Sequence, residues 1–230
     1  MMISSLMKAA VFLAAAVWSW NVMAEDHAVL MKEGAAARKA KNHQLAVQKY
    51  TEAQQAAGNA RQRFDATVAC AGSLQALKQR ERSRDLYEEE LKKELYNNTQ
   101  RQSMLVKIAA MYLWDRNHYQ YALDKINLAL ALKGVREDEP LYFLMCHYAA
   151  CIYNHFKKEY DPIIVICENP AARSRISWHK LTLYSQIGNA YEKLGRKADA
   201  LRNYRMAVEY GKKAKRDTKK LEAKIKELSK

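Results

Sequence analysis

The chain has 230 residues and few structure-breaking ones, with seven glycines and three prolines. Together they fall well below the share of about 12% in an average protein, which argues against collagen-like chains, loop-rich disulfide scaffolds and most turn-rich β-sandwiches. Hydrophobic residues make up 49% of the sequence, enough to bury a core. The composition therefore predicts an all-α protein.

Basic residues outnumber acidic ones by 39 to 25, which gives a formal net charge of +14. A surplus of this size favours an anionic partner, such as lipid head groups, an acidic polymer, an acidic protein surface or nucleic acid. A protein whose surface is merely basic fits the same numbers. Export from the cytoplasm, indicated by the N-terminal residues, makes nucleic acid the least expected of these partners.

The first 24 residues have the pattern of a cleaved export signal. Lys8 is the single charged residue before Glu25, and an apolar run extends from Ala9 to Trp20. Val22 and Ala24 are the residue types expected before a cleavage site. The apolar run is shorter than the about 20 residues that span a membrane, so an uncleaved anchor is the less favoured alternative. We predict an exported protein, periplasmic or secreted, with no transmembrane span after cleavage.

Residues 181–214 have the pattern of two amphipathic helices joined by a short turn. Apolar and small side chains recur at helical spacing in both halves. Two such helices pack as an antiparallel hairpin. The residues that mark this unit are Tyr184, Ile187, Gly188, Tyr191, Gly195, Ala200, Tyr204 and Ala207.

At these eight positions the segment resembles a tetratricopeptide repeat (TPR), a helical hairpin of 34 residues. Four earlier units resemble the same repeat, the middle ones less closely. The five units lie near residues 27–60, 64–97, 102–136, 142–175 and 181–214. The resemblance implies a right-handed α-solenoid of about five TPR-like helix-turn-helix hairpins.

Residues 215–230 are expected to form a capping helix over the last hairpin. Leu221, Ile225 and Leu228 provide a narrow apolar stripe, and most of the other residues are charged. A repeat array needs a terminal element of this kind, because its last hydrophobic face would otherwise be exposed.

No enzyme motif is present. The glycine-rich phosphate-binding loops, the HExxH zinc motif and the GxSxG nucleophile motif do not occur in the sequence. The six histidines are scattered, without the convergence that zinc requires. We therefore expect no catalysis, no cofactor and no metal site.

The sequence has four cysteines, at positions 70, 146, 151 and 167. In a hairpin whose turn centres near Glu159, Cys151 and Cys167 would lie at the same height. An oxidising compartment would allow a disulfide between them. Free thiols that act as small buried hydrophobic residues are the favoured interpretation, and the disulfide is the alternative.

The resemblance to TPR proteins also implies the position of a ligand groove. In that family, the first helix of each hairpin lines a concave surface that binds protein segments. The family's ligand-facing positions correspond here to Trp114, Phe143, Tyr153, Asn154, Ser185, Asn189 and Lys193. Packing between repeats is the alternative role for the aromatic residues among them.

These patterns predict an exported scaffold or adaptor that binds a protein or peptide through the groove. The alternative is an envelope-associated protein whose basic C-terminal helix binds an anionic polymer or lipid. No aromatic residue follows Tyr210, which argues against a helix inserted into a membrane surface.

Overall fold

The computed structural model describes residues 26–230, so the predicted export signal lies outside the described residues. This part of the chain is helical and contains no strand, which confirms the predicted all-α class. Helix α1 covers residues 26–39. The later helices are α2 (His43–Gln55), α3 (Ala60–Ala76), α4 (Arg80–Leu91), α5 (Asn98–Tyr112), α6 (Tyr119–Ala131), α7 (Pro140–Ile152), α8 (Asp161–Arg173), α9 (Ser177–Lys193), α10 (Lys197–Lys213) and α11 (Lys219–Leu228).

The helices form two compact units. The N-terminal unit ends at Gln100, and the C-terminal unit covers Arg101–Lys230. Within each unit, helices that follow one another in the chain pack against each other, as in α3 with α4 and α9 with α10. Helical hairpins are therefore the building blocks of both units, followed by the short helix α11.

Three of the hairpin turns share one backbone geometry. Lys41, Lys78 and Gly195 have φ angles of 60°, 60° and 73°, in the left-handed region. In each turn the next residue donates its N–H to a carbonyl in the preceding helix, as Arg196 does to Tyr191 at 2.9 Å. This is the Schellman pattern of helix ends. Glycine adopts this left-handed conformation without steric cost, whereas lysine does not. The turns at Lys41 and Lys78 therefore cannot be recognised from a glycine in the sequence.

Two glycines allow a tyrosine ring to contact the backbone of the preceding helix. A Cβ atom added to Gly188 would lie 2.7 Å from Cδ1 of Tyr204, and one added to Gly34 would lie 2.6 Å from Cε1 of Tyr50. Both rings are buried. A Cβ atom added to Gly72, in α3, would have no neighbouring atom within 4 Å. The first two glycines are thus required by packing, and Gly72 is not.

A buried carboxylate joins α3 to α4 in the N-terminal unit. Arg63 donates from Nε and Nη2 to the two oxygens of Glu90, at 2.8 and 3.1 Å. Lys93 and Tyr96 also donate to Glu90. Burial acts to raise the pKa of the Glu90 carboxyl, but these hydrogen bonds outweigh it and the pKa is lowered. The charged form of Glu90 therefore stabilises the folded unit.

We expect Gly188→Ala and Gly34→Ala each to lower the free energy of unfolding by about 1–3 kcal/mol, because the added methyl group overpacks a buried ring. Gly72→Ala is the matched control. It places the same methyl group in open space within a helix, so it should raise stability by about 0.5–1 kcal/mol. Urea unfolding measures the three effects, and equal values at the three sites would contradict this account of the packing.

We also expect the N-terminal unit to lose stability in acid through Glu90. The pKa of Glu90 is lower in the folded state than in the unfolded state, where it is about 4.3. The stabilisation by ionised Glu90 is therefore fully present above the unfolded-state pKa. It disappears as the pH falls through the folded-state pKa. Glu90→Gln should lower the free energy of unfolding at pH 7 by about 3 kcal/mol, the cost of leaving buried partners unpaired. It should also flatten the pH dependence below about pH 5.

Denaturant unfolding between pH 3 and pH 7 tests this expectation. Glu81→Gln, at an exposed position of the same helix, is the control that removes an equal charge. If both variants follow the wild-type pH dependence, Glu90 is not the group that responds to acid.

Candidate functional site

The C-terminal unit contains a cleft of about 320 Å³ with a mixed polar and apolar lining. Its lining comes from the end of α7, the turn after α7, and helices α8, α9, α10 and α11. The apolar part of the lining includes Ile163 and Leu221. The polar residues of the lining include Asn154, His155, Ser185, Gln186, Asn189, Tyr204, Lys220 and Lys224.

A π-helical turn, Tyr153–Lys157, extends α7 and brings Asn154 and His155 to the cleft. The turn ends at Lys158, whose φ of 58° lies in the left-handed region. The N–H of Glu159 closes the turn by donating to the carbonyl of Tyr153 at 3.2 Å. Such π turns inside or at the end of an α-helix occur frequently at functional sites.

Hydrogen bonds between side chains fix the amides that line the cleft. Asn189 donates from Nδ2 to Oδ1 of Asn154 at 2.9 Å. Gln186 donates from Nε2 to Nδ1 of His147 at 3.0 Å and to the His147 carbonyl at 3.3 Å. Burial lowers the pKa of His147 despite the bond from Gln186. A neutral imidazole therefore joins α7 to α9, and the amide groups are positioned in advance of any ligand.

Helix α11 is packed onto the unit rather than extending from it as a free tail. Leu221, Ile225 and Leu228 are partly buried against the hydrophobic core. Lys224 Nζ lies 2.5 Å from Oε2 of Glu192, and it also donates to the Tyr204 hydroxyl at 3.2 Å. The apolar stripe predicted from the sequence thus contacts the core, and Lys224 is one of the residues that hold the helix.

Glu192 connects three helices through one carboxylate oxygen. The Tyr204 hydroxyl donates to Oε2 of Glu192 at 2.5 Å, and Lys224 binds the same atom. Burial acts to raise the pKa of Glu192, but the hydrogen bonds from Lys224 and Tyr204 outweigh it, so the pKa is lowered. The positive charge of Lys224 is therefore compensated. Within residues 26–230, Lys220 forms no ion pair.

The residues predicted to line a groove occupy different environments. Asn154, Ser185 and Asn189 line the cleft. Phe143 does not, because it is buried in the core with its ring stacked on His179 at a centroid distance of 3.9 Å. The assignment of Phe143 to a ligand surface is corrected accordingly: its packing role, the alternative left open by the sequence, is the one observed.

The other three predicted groove residues also lie outside the lining of the cleft. Trp114 is 63% exposed in the turn after α5, where its ring meets the edge of His155 at 5.1 Å. Tyr153 is partly buried against the core. Lys193 is exposed at the end of α9.

Cys151 and Cys167, the candidate disulfide pair, are free and buried in the structure, as are Cys70 and Cys146. The sulfur of Cys167 lies 4.0 Å from the carbonyl oxygen of Cys146, whereas that of Cys151 lies 3.6 Å from Nε2 of Gln186. The π turn Tyr153–Lys157 lies between the two cysteines and interrupts the regular hairpin that the pairing assumed. Burial raises the pKa of Cys151 to about 11, so the thiol stays protonated.

The contribution of α11 to the site was missed from the sequence, where these residues were read as a cap or a basic tail. A signal for it was present. The predicted units start at residues 27, 64, 102, 142 and 181, about 37–40 residues apart. One further period places α11 where the first helix of another hairpin would lie, and therefore beside the cleft.

A second, wider cleft of about 710 Å³ lies near α8 and the loop before α7. Its charged groups pair with one another, as Arg173 does with Glu137 at 3.2 Å and Arg175 with Asp138 at 3.7 Å. Across residues 26–230, no three His, Cys, Asp or Glu side chains converge as a set of metal ligands. No helix in the described chain is long and apolar enough to cross a membrane.

We expect Lys224→Met to raise the pKa of the Glu192 carboxyl, because the carboxylate loses a hydrogen-bond donor and its counter-charge. The variant should also lower the free energy of unfolding by about 0.5–1 kcal/mol and speed hydrogen exchange in α11. Lys226→Met removes an exposed lysine of the same helix and is the control. An NMR titration of the Glu192 carboxyl that gives the same pKa in both variants would contradict the role assigned to Lys224.

No protein-family model and no curated protein matches this sequence. Solved structures do resemble it. The crystal structure of MamA protein superposes with a TM-score of 0.61 and 17% identity, over 83% of this chain and 94% of that one. A putative kinesin light chain with nearly identical TPR-like repeats, from Podosopora anserina, gives a TM-score of 0.60 and 16% identity, over 86% of this chain and 99% of that one. The described chain thus has the fold of TPR-like repeat proteins.

Proposed function

We propose that the protein is an exported scaffold that binds a segment of another protein in the cleft of its C-terminal unit. The observation that carries the proposal is the cleft itself, in which amide, hydroxyl and amine groups are held on a helical frame. Side-chain amides both donate and accept hydrogen bonds, so they suit the N–H and C=O groups of a peptide backbone. The similarity to MamA and to TPR-like repeats supports a binding fold of this type.

The chemistry of the cleft supports binding over catalysis. Cys151 and His147 are neighbours, with 3.9 Å between Sγ and Nδ1, as a thiol nucleophile and its base would be. Burial raises the pKa of the thiol to about 11 and lowers that of the imidazole, so both groups favour their neutral forms. An activated cysteine needs the opposite shift of its pKa. We therefore assign no catalytic role to this pair.

Export is proposed from the charged, apolar and small-residue pattern of residues 1–24. It would place the cleft in the periplasm or outside the cell. Envelope binding through α11 is the second candidate, because Lys219, Lys226 and Lys230 are exposed on or beside that helix. The apolar side of α11 is occupied by the core, so such binding would be electrostatic and strongly sensitive to salt.

Peptides selected by display on residues 25–230 test the proposal. Ser185→Trp places a large side chain in the cleft. It should lower the affinity of the selected peptides by at least about tenfold, the loss expected when a central contact surface is blocked. Val165→Trp, at an α8 position that is 75% exposed, is the matched control and should leave the affinity unchanged. Circular dichroism establishes that both variants are folded.

Two results would contradict a binding function of the cleft. One is equal affinity for the two tryptophan variants and the wild type. The other is binding that neither variant alters but that disappears between low and high salt, which would instead favour the envelope-binding candidate.

A further inference from the structure

We infer that the cleft selects a protein segment that carries a Glu or Asp side chain, and that Lys220 of α11 binds the carboxylate of that side chain. The inference rests on the proposed function and specifies the chemistry of its ligand. It also gives α11 a part in recognition, in addition to its contact with the core.

The first step is the charge of the cleft. Among the described residues, no Asp or Glu side chain lines it, and the charged groups that do are Lys220 and Lys224. Glu192 compensates Lys224 at 2.5 Å. Lys220 has no such partner within residues 26–230. The cleft therefore holds one positive charge that an incoming anionic group can pair with.

The second step is the set of donors near that charge. Ser185 and Asn189 are four residues apart on α9, so they share one face of the helix, and both line the cleft. A carboxylate accepts several hydrogen bonds at once and is bound best where more than one donor is available. The Asn189 amide uses one N–H on Asn154 and has a second N–H to offer. The lining thus combines an ammonium group with neutral donors.

The third step separates a side-chain carboxylate from other anions. The paired amides of Asn154 and Asn189 match a peptide backbone, which a polysaccharide phosphate or a lipid head group lacks. Lys220 is exposed at the edge of the cleft. A side chain of a segment lying along the cleft can therefore reach its amine while the backbone of the segment contacts the amides.

The test measures the binding of three hexapeptides to the chain from residue 25 to 230. The first peptide is acetylated, amidated and carries two Glu residues among alanines. The second has Gln at those positions, and the third has only alanines and a free C-terminus. Binding is followed by NMR, from the side-chain amide signals of Asn154 and Asn189. We expect saturable shifts with the Glu peptide and an affinity at least about fivefold lower for the other two.

Variants of α11 assign the effect to one residue. Lys220→Gln should abolish the preference for the Glu peptide. Lys219→Gln and Lys226→Gln remove the same charge from exposed positions that do not line the cleft, and they should preserve the preference. Lys220→Glu should reverse it, so that a peptide with Lys in place of Glu binds better. These positions are exposed, so the fold is expected to survive each change.

Four results would overturn the inference. Equal losses for the three lysine variants would show that only the overall charge of α11 matters. Tight binding of the alanine peptide with a free C-terminus, dependent on Lys220, would assign the site to a chain end. If selected peptides are blocked by Ser185→Trp but indifferent to Lys220→Gln, the inference fails while the proposed function stands. If neither variant affects them, both fail.

Discussion

The contact between the Tyr204 ring and the α9 backbone at Gly188 determines how the last three helices are arranged. Because Gly188 has no side chain, the ring is buried against α9 and its hydroxyl reaches Glu192. Glu192 in turn binds Lys224 and so orients α11. Helix α11 supplies part of the lining of the cleft. Which residues line the cleft therefore depends on a glycine at position 188 of α9.

Apolar contact and the ion pair contribute differently to the position of α11. Partial burial of Leu221, Ile225 and Leu228 removes apolar surface from water, and each such side chain contributes on the order of 1 kcal/mol. An ion pair that is partly exposed contributes about 0–1 kcal/mol. The apolar stripe therefore supplies most of the binding energy of the helix. The Lys224–Glu192 pair, which is directional, decides which lysines face the cleft.

The fold was predictable wherever a residue type is tied to a backbone geometry. Gly188 and Gly195 mark a helix crossing and a left-handed turn, and the hairpin of α9 and α10 was recognised from them. Lys41 and Lys78 adopt the same left-handed turn, but lysine has no preference for that region. The hydrogen bonds of the neighbouring helices impose it. Turns of this kind are therefore invisible to a pattern based on residue type.

The candidate site was predictable only in part, because it depends on an irregular turn and on distant partners. Asn154, in the π turn Tyr153–Lys157, lines the cleft. Phe143, in the first turn of α7, is instead buried against His179, a partner 36 residues later in the chain. The lysines of α11 are alike in sequence, yet Lys224 is compensated by Glu192, 32 residues earlier. The uncompensated charge at the cleft therefore depends on tertiary contacts and not on the number of basic residues in a segment.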